Sequence, residues 1–308
     1  MAGESKEAKQ EKEIFEDEGV FKMVPARFFV KILFAFFVFF FSGSASAAAQ
    51  SGPDYSSLEK AIREFTAKKS TTYGIYFQDL GSGKSFGLND EEPMVAASTI
   101  KFPMSLYLYT LAAEGKLDWN ARVAYQKMTD YEGGDGILRY TAREGERYSL
   151  RALNTLSLVT SDNIAFRMLA RHVGRENFVS FLRELGGRTV YPGGKNITTA
   201  KDLGVYLQAV LDFVRRHPEE GKRLLDDLAN SIYHTGLPGL LPESVVVAHK
   251  EGDLDEGVAN DAGVVFSSRP YILVVLSAGV NNLEEGFADI ARISKMVYDY
   301  QEKLASRQ

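Results

Sequence analysis

Residues 96–114 read Ala-Ala-Ser-Thr-Ile-Lys-Phe-Pro-Met-Ser-Leu-Tyr-Leu-Tyr-Thr-Leu-Ala-Ala-Glu, an apolar helical pattern that opens with Ser98 and Lys101. A loop over residues 90–97 precedes it, so the spacing predicts Ser98 in the first helical turn and Lys101 one turn later on the same face. A serine beside a lysine suits a nucleophile with its base, and a helix N-terminus offers N–H groups to an oxyanion. The same S-x-x-K pattern at residues 57–60 lies inside a predicted helix, and we interpret that copy as solvated surface.

Two further motifs follow in the chain. Ser161-Asp162-Asn163 stands between two helical patterns, where these residue types are also ordinary helix caps. His249-Lys250-Glu251-Gly252 is predicted to end an apolar strand, where a lysine is usually plain surface. Each motif alone is more often structural than functional, but S-x-x-K, S-D-N and K-x-G in this order form a specific combination.

The periodicity outside the motifs predicts an α+β fold. Strand patterns cover residues 72–80 and 85–88, joined by a Gly-Ser-Gly hairpin turn, and return at residues 244–248, 259–267 and 271–278. We therefore expect a mainly antiparallel sheet built from both ends of the chain and flanked by helices, with a helical insert between its strands. The helical patterns span residues 54–69, 102–114, 150–160, 163–173, 175–185, 201–216 and 283–304.

The composition excludes several classes of protein. The 308 residues are 45% hydrophobic and 25% charged with a net charge of −5, which is typical of a globular protein and does not favour a nucleic-acid partner. The absence of cysteine excludes disulfides, a thiol nucleophile and a Cys-ligated zinc site. The four histidines have no metal-binding spacing, so we expect no metal and no cofactor. A G-x-S-x-G elbow and a P-loop are also missing from the sequence.

The first 47 residues have the order of a secretory signal. A polar, acidic extension at residues 1–22 precedes Met23, two basic residues and a ten-residue apolar run that is too short to span a membrane. Small residues follow, with an A-x-A cleavage site after Ala47. We therefore predict a signal peptide at residues 23–47 and export from a bacterial cell. Translation from Met23, with residues 1–22 as a start-site artefact, and an uncleaved anchor are the alternatives.

The three motifs, with Gly134-Asp135-Gly136-Ile137-Leu138, resemble the serine β-lactamase and penicillin-binding superfamily, most closely the class A β-lactamase catalytic domain. The likeness implies a linker at residues 48–55 and a catalytic domain at 56–305, whose α/β part is 56–93 with 236–305 and whose helical part is 94–235. It also implies a monomer. The implied roles are Ser98 as acylated nucleophile, Lys101 as its base, Ser161 as proton shuttle to the leaving nitrogen, Asn163, Lys250 and Gly252 as substrate contacts, and the N–H groups of Ser98 and Asp253 as oxyanion hole.

Two departures from the family pattern matter for function. Class A enzymes use an omega-loop glutamate to activate the deacylating water, whereas the corresponding residues here, 186–197, contain no carboxylate. Glu251 stands where the family usually has threonine or serine, and its charge in the pocket would repel a substrate carboxylate by about 1 to 4 kcal/mol. Either Glu251 points away from the pocket, or the substrate differs.

Three functions remain open from the sequence. The first is an exported β-lactamase-like serine hydrolase that acylates on β-lactam amides and deacylates slowly. The second is a D,D-peptidase or penicillin-binding enzyme acting on acyl-D-Ala-D-Ala ends of cell-wall peptides, which the missing glutamate favours. The third is a non-catalytic sensor of β-lactams or wall peptides, an alternative raised by Glu251.

Overall fold

The computed structural model describes residues 52–307. The predicted acidic extension, the signal peptide and residues 48–51 of the predicted linker lie outside the described residues. Tyr55, which we had placed in the linker, is buried against Phe77 and its hydroxyl donates to Gln301, so it belongs to the domain. Within residues 52–307 no helix combines the length and apolar character that crossing a membrane requires.

A five-stranded antiparallel sheet forms the centre of the fold, as predicted. Its strands are β1 (Thr72–Asp79), β2 (Ser85–Leu88), β7 (Val246–Leu254), β8 (Val258–Phe266) and β9 (Tyr271–Ala278). They lie in the order β2-β1-β9-β8-β7, and Thr72 near the start of the described chain pairs with Ala278 near its end. Both ends of the described chain therefore contribute to one sheet.

The sheet is buried on both faces, and the alternation of side chains along each strand divides them between two cores. In β9, Leu273 and Val275 pack on one face, whereas Ile272, Val274 and Leu276 pack on the other. Helices α1 (Ser56–Thr66) and α10 (Leu283–Ala305) cover the first face, which we call the terminal face.

The helical insert covers the second face, which we call the cleft face. Its central helix, α2 (Lys101–Ala113), continues a 3₁₀ turn at Ala97–Ile100. The residues of α2 are apolar nearly all round, as expected of a helix surrounded by others. The remaining helices are α3 (Lys127–Asp130), α4 (Leu138–Thr141), α5 (Leu150–Val159), α6 (Asn163–Val173), α7 (Arg175–Glu184), α8 (Ala200–Arg216) and α9 (Pro218–Ala229).

Several predicted boundaries were wrong, for physical reasons. The K-x-G motif lies inside β7, because the strand continues to Leu254 by pairing with β8. Helix α1 begins at Ser56 and not at residue 54, and no side chain of residues 52–307 caps it; Asp54 instead accepts from the Ser56 N–H just before the first turn. Helix α9 was not predicted as a separate element. Two small sheets were also missed: β3 (Met94–Val95) with β6 (Ile197–Thr198), and β4 (Arg122–Ala124) with β5 (Arg147–Ser149).

Leu273 offers a test of the terminal-face core. Its side chain is fully buried in the central strand, so Leu273→Ala is expected to lower the free energy of unfolding by about 2–5 kcal/mol. Chemical denaturation measures this loss, and Leu240→Ala, at a half-exposed position, is the control, expected within about 0.5 kcal/mol of wild type. Equal effects of the two substitutions would contradict the assigned core.

Candidate active site

Ser98 stands on a strained turn between the sheet and the insert. Ala97 has a φ of 48°, a left-handed conformation that non-glycine residues rarely adopt. Two side-chain amides hold the backbone around it: Asn196 Nδ2 donates to the Ala97 carbonyl at 2.9 Å, and Asn260 Nδ2 donates to the Val95 carbonyl at 2.8 Å. The turn is therefore fixed from the 186–197 loop on one side and from β8 on the other.

Lys101 is in direct contact with Ser98. Its side chain is 3% exposed, and its Nζ lies 2.9 Å from Ser98 Oγ. The same Nζ donates to the Ser161 carbonyl and to Asn163 Oδ1, both at 2.6 Å, and lies 3.1 Å from Ser161 Oγ. The S-x-x-K and S-D-N motifs thus meet at a single buried nitrogen.

The S-D-N motif forms the junction between α5 and α6. Ser161 has a φ of 53°, a second left-handed non-glycine residue in the site. Asp162 caps α6 by accepting from the Ala165 N–H at 2.9 Å, and it also accepts from the Leu138 N–H at 2.8 Å. The capping role and the functional role of the tripeptide are thus divided between residues, because Asp162 caps while its neighbours contact Lys101.

The K-x-G motif reaches the site from the cleft face of β7. Lys250 is 1% exposed, and its Nζ donates to the Glu251 carbonyl at 2.7 Å and lies 5.8 Å from the centre of the Tyr233 ring. A Cβ on Gly252 would lie 2.6 Å from Ser98 N and 2.8 Å from Thr99 N. Only glycine allows this part of β7 to approach the backbone of Ser98 so closely.

Burial lowers the pKa of both lysines. Burial, and then the nearby Lys250 ammonium, lower the pKa of Lys101 to about 7. Burial lowers the pKa of Lys250 to about 8, although the Glu251 carboxylate opposes the shift. Near neutral pH a substantial fraction of Lys101 is therefore unprotonated and able to accept the Ser98 proton.

A cavity of about 900 Å³ opens in front of Ser98 and Lys101, large enough for a drug-sized ligand. The 186–197 loop contributes Tyr191, Gly194 and Asn196 to its wall and supplies no carboxylate. The carboxylates that line the cavity come from other segments: Glu132, Asp135, Asp253, Asp255 and Glu256. Burial, and then the charge of Asp135, raise the pKa of Asp253, which shows that these acids lie close enough to interact.

Glu251 lies on the opposite face of β7 from Lys250. It is buried, and its Oε1 accepts from the Gly236 N–H at 2.7 Å. It therefore points away from the cavity, and its predicted repulsion of a substrate carboxylate in the pocket does not occur. His249 shares this face, because side chains alternate along a strand, and it is also buried.

His249, Glu251 and Asp261 could be considered as metal ligands, since their donor atoms lie within 4.8 Å of one another. In this structure His249 Nδ1 is 2.9 Å from Asp261 Oδ2, and Asp261 Oδ2 also accepts from the Leu237 N–H at 2.7 Å. These are hydrogen-bond distances, and backbone donors already bind both carboxylates. The three residues are thus a buried hydrogen-bonded cluster.

The structure brings most of the predicted site residues into one place. Ser98, Lys101, Ser161 and Asn163 are in direct contact, and Gly252 packs on Ser98. Lys250 acts on Lys101 through its charge, and Asp253 lies in the cavity wall. The sequence analysis missed Asn196, Asn260, Tyr233 and Asp135 as site residues, although Asp135 lies inside the Gly134–Leu138 segment already singled out.

Comparisons with known proteins found a matching family and several relatives. The model of the β-lactamase enzyme family matches residues 57–301. A curated relative, the β-lactamase SME-1 of Serratia marcescens, is 24% identical over 241 residues, which cover 70% of this chain and 78% of the relative.

Solved structures with the same fold were also found. PBP-A, as a Leu-to-Glu variant in an acyl-enzyme complex with penicillin G, is 27% identical with a TM-score of 0.75, covering 80% of this chain and 97% of that one. A β-lactamase from Sphaerobacter thermophilus is 23% identical with a TM-score of 0.72, covering 81% of this chain and 98% of that one. An ancestral class A β-lactamase also has a TM-score of 0.72, at 21% identity, with 79% of this chain and 99% of that one covered. The predicted resemblance and fold are confirmed.

The two lysines make a testable pair. Lys250→Met removes the second ammonium, so the pKa of Lys101 is expected to rise above its native value of about 7. NMR titration of lysines labelled at Cε measures this directly, with Lys295→Met as control, since Lys295 pairs with Asp299 on the surface. The same Lys101 pKa in both variants would contradict the proximity of the two charges.

Proposed function

Because the chain belongs to the β-lactamase enzyme family, we propose that it is an exported class A-like serine hydrolase that opens β-lactam amides through an acyl-enzyme on Ser98. The observation that carries the proposal is the buried Lys101 Nζ, 2.9 Å from Ser98 Oγ, with its pKa lowered to about 7. The signal-like order of residues 23–47 supports export.

Acylation follows from the hydrogen-bond capacity of a neutral lysine. Unprotonated Nζ has two hydrogens and one lone pair; the hydrogens serve the Ser161 carbonyl and Asn163 Oδ1, and the lone pair is left for the Ser98 hydroxyl proton. Ser98 Oγ attacks the lactam carbonyl carbon, its proton passes to Lys101, and the N–H groups of Ser98 and Asp253 stabilise the oxyanion.

Collapse of this intermediate breaks the carbon–nitrogen bond and forms an ester on Ser98. Ser161 Oγ, 3.1 Å from Lys101 Nζ, is placed to pass the proton on to the leaving nitrogen. The charge of Lys250 attracts the substrate carboxylate, and Asn163 contacts the side-chain amide. Gly252 contributes by keeping β7 against Ser98.

The loop at residues 186–197 lacks the glutamate that activates the deacylating water in class A enzymes. Tyr191, Gly194 and Asn196 occupy the wall where a water-activating glutamate would be expected, and no residue between 186 and 197 is a carboxylate. An ester is hydrolysed slowly when the base dedicated to activating its water is missing, because hydrolysis then depends on groups that serve other purposes. We therefore infer that the acyl-enzyme persists.

The same loop favours a second candidate function, a D,D-peptidase or penicillin-binding enzyme acting on acyl-D-Ala-D-Ala ends. PBP-A, 27% identical, is described as an acyl-enzyme complex with penicillin G, in a variant that carries an added glutamate. Glu251 had raised the sensor alternative, but its side chain lies on the face of β7 away from the cavity, so it no longer supports a non-catalytic site.

The primary test is the intact mass of the mature protein mixed with excess penicillin and followed from minutes to hours. One covalent adduct is expected, persisting for hours, and Ser98→Ala is expected to form none because the nucleophile is removed. Decay within minutes would overturn slow deacylation and indicate that another group activates water. An adduct on the Ser98→Ala protein, or none on the wild type, would overturn the proposed nucleophile.

Product analysis separates the two functions. The penicillin-free protein is mixed with a peptide that ends in D-Ala-D-Ala, and released D-alanine is measured. Release that depends on Ser98 would favour the peptidase, whereas opened penicillin without D-alanine release would favour the β-lactamase.

The pH dependence of acylation is a second prediction. Lys101 must be neutral, so the second-order rate constant is expected to rise as the pH increases through about 7; Lys250 must be charged, so it is expected to fall above about 8. Because the two lysines interact, the apparent pKa values of the rising and falling parts of the profile describe the pair and not either lysine alone. Stopped-flow measurements with a chromogenic cephalosporin give the profile. A rate constant that does not change between about pH 6 and about pH 9 would count against Lys101 as the base.

A further inference from the structure

Glu251 lies on the opposite face of β7 from its immediate neighbours, Lys250 and Gly252. It is 4% exposed on the terminal face, and it lies directly across the ladder from Asp261 of β8. Two carboxylates opposite each other on one buried face are unfavourable unless other groups bind them. The binding groups here are backbone N–H donors of the segment that enters β7 from α9.

These donors are consecutive. The Gly236 N–H donates to Glu251 Oε1 and the Leu237 N–H donates to Asp261 Oδ2, both at 2.7 Å. Gly236 fits this arrangement because a Cβ there would overlap Asp261 Oδ2 and lie 3.0 Å from Glu251 Oε1. Ser294 of α10 donates to the Leu237 carbonyl at 2.7 Å and ties the same turn to the last helix. We call the two carboxylates the carboxylate clamp.

The clamped turn continues into the cleft wall. Tyr233, three residues before Gly236, places its ring 5.8 Å from Lys250 Nζ, within the range of a cation–π interaction. Glu251 and Lys250 are adjacent on one strand, so the clamp on the terminal face and the ring on the cleft face enclose the same part of β7. Fixing the turn therefore fixes the ring over the lysine.

We propose that Glu251 is a positioning residue, which holds the Gly236–Leu237 turn with Asp261 and thereby keeps Tyr233 against Lys250. A threonine at this position ends at its γ atoms and would not extend to the Gly236 N–H as the longer glutamate does. The glutamate in K-x-G thus has a role on the far side of the strand. The kinetic part of this inference rests on the proposed function, whereas the clamp itself does not.

Several titratable groups lie near the clamp. His249 lies beside Asp261, the Lys250 ammonium is next along β7, and His234 of the turn segment lies 6.5 Å from His249, ring centre to ring centre. Burial, and then Asp261, raise the pKa of Glu251 to about 7. Burial lowers the pKa of His249, but the charge and hydrogen bond of Asp261 together with the charge of Glu251 outweigh it, so the pKa of His249 is raised. A proton is therefore available to reduce the repulsion between the carboxylates near neutral pH.

Hydrogen–deuterium exchange of the penicillin-free protein tests the clamp. Glu251→Ala is expected to speed exchange of the Gly236 amide by about tenfold or more, because its acceptor is lost. Glu251→Gln, which retains an acceptor oxygen of the same reach, is expected to restore slow exchange. Glu251→Thr is expected to resemble the alanine variant and serves if that variant does not fold. Unchanged exchange in both the alanine and threonine variants would overturn the clamp.

Acylation by penicillin tests the link to Lys250. Glu251→Ala is expected to raise the half-saturating penicillin concentration roughly fivefold with little change in the limiting rate, and Glu251→Gln is expected to rescue it. Tyr233→Leu should give the same rise with unchanged exchange at Gly236. Wild-type binding by the Tyr233→Leu variant, or failure of the glutamine variant to rescue, would overturn the positioning role. Glu64→Gln, on the exposed surface of α1, is the control.

The two proposals fail in different ways. If the wild type forms no Ser98-dependent adduct, the proposed function is wrong, and the exchange experiment still decides whether the clamp exists. If the adduct forms normally in every Glu251 variant and exchange is also unchanged, the clamp is wrong while the proposed function stands.

Discussion

The burial of two lysine side chains beside one serine is the constraint on which the rest of the structure depends. An ammonium inside a protein is costly unless it is paired or loses its proton. Lys101 has carbonyl, amide and hydroxyl oxygens around it, and no carboxylate among residues 52–307 is bonded to it. The surroundings thus tolerate the neutral form. Two left-handed residues, Ala97 and Ser161, bring these oxygens into place at a cost of about 1–3 kcal/mol each, and the two-faced sheet with its covering helices supplies the rigidity that keeps them there.

The sheet separates two kinds of task between its faces. Lys250 reaches the cleft from β7, and Asn260 reaches the turn before Ser98 from β8, both on the cleft face. One residue further along each strand, Glu251 and Asp261 lie on the terminal face and contact structural elements instead. Because side chains alternate with a period of two, neighbouring residues of one motif serve different surroundings. The consecutive residues of the K-x-G motif therefore serve different purposes: Lys250 lies in the candidate site, whereas Glu251 contacts structural elements on the other face of the sheet.

The sequence was sufficient to predict what depends on local pattern. The long helices and the three C-terminal strands follow from periodicity, and Ser98 with Lys101 follows from helical spacing, so the antiparallel sheet and the meeting of three motifs were foreseen. What was missed depends on pairing between distant segments. The full length of β7 is set by β8, the direction of Glu251 by strand register, and the roles of Asn196 and Tyr233 by loops that reach the site from elsewhere in the chain. Neither asparagine nor tyrosine has a spacing that reveals such contacts, since their partners are backbone carbonyls and a lysine far away in sequence.

The pairing of β1 with β9 also affects how the molecule folds. Thr72 pairs with Ala278, so the central strand of the sheet is the last strand to be synthesised, and the whole insert must be closed as a loop before β1 gains that neighbour. Contacts of such high sequence separation slow folding, because the entropy of loop closure is lost before the pairing is gained. The helices of the insert can form from local contacts, whereas the sheet surface that carries Lys250 requires the C-terminal strands. The candidate cleft is therefore complete only when the C-terminal strands have paired with β1, so the cleft depends on contacts between the two ends of the described chain.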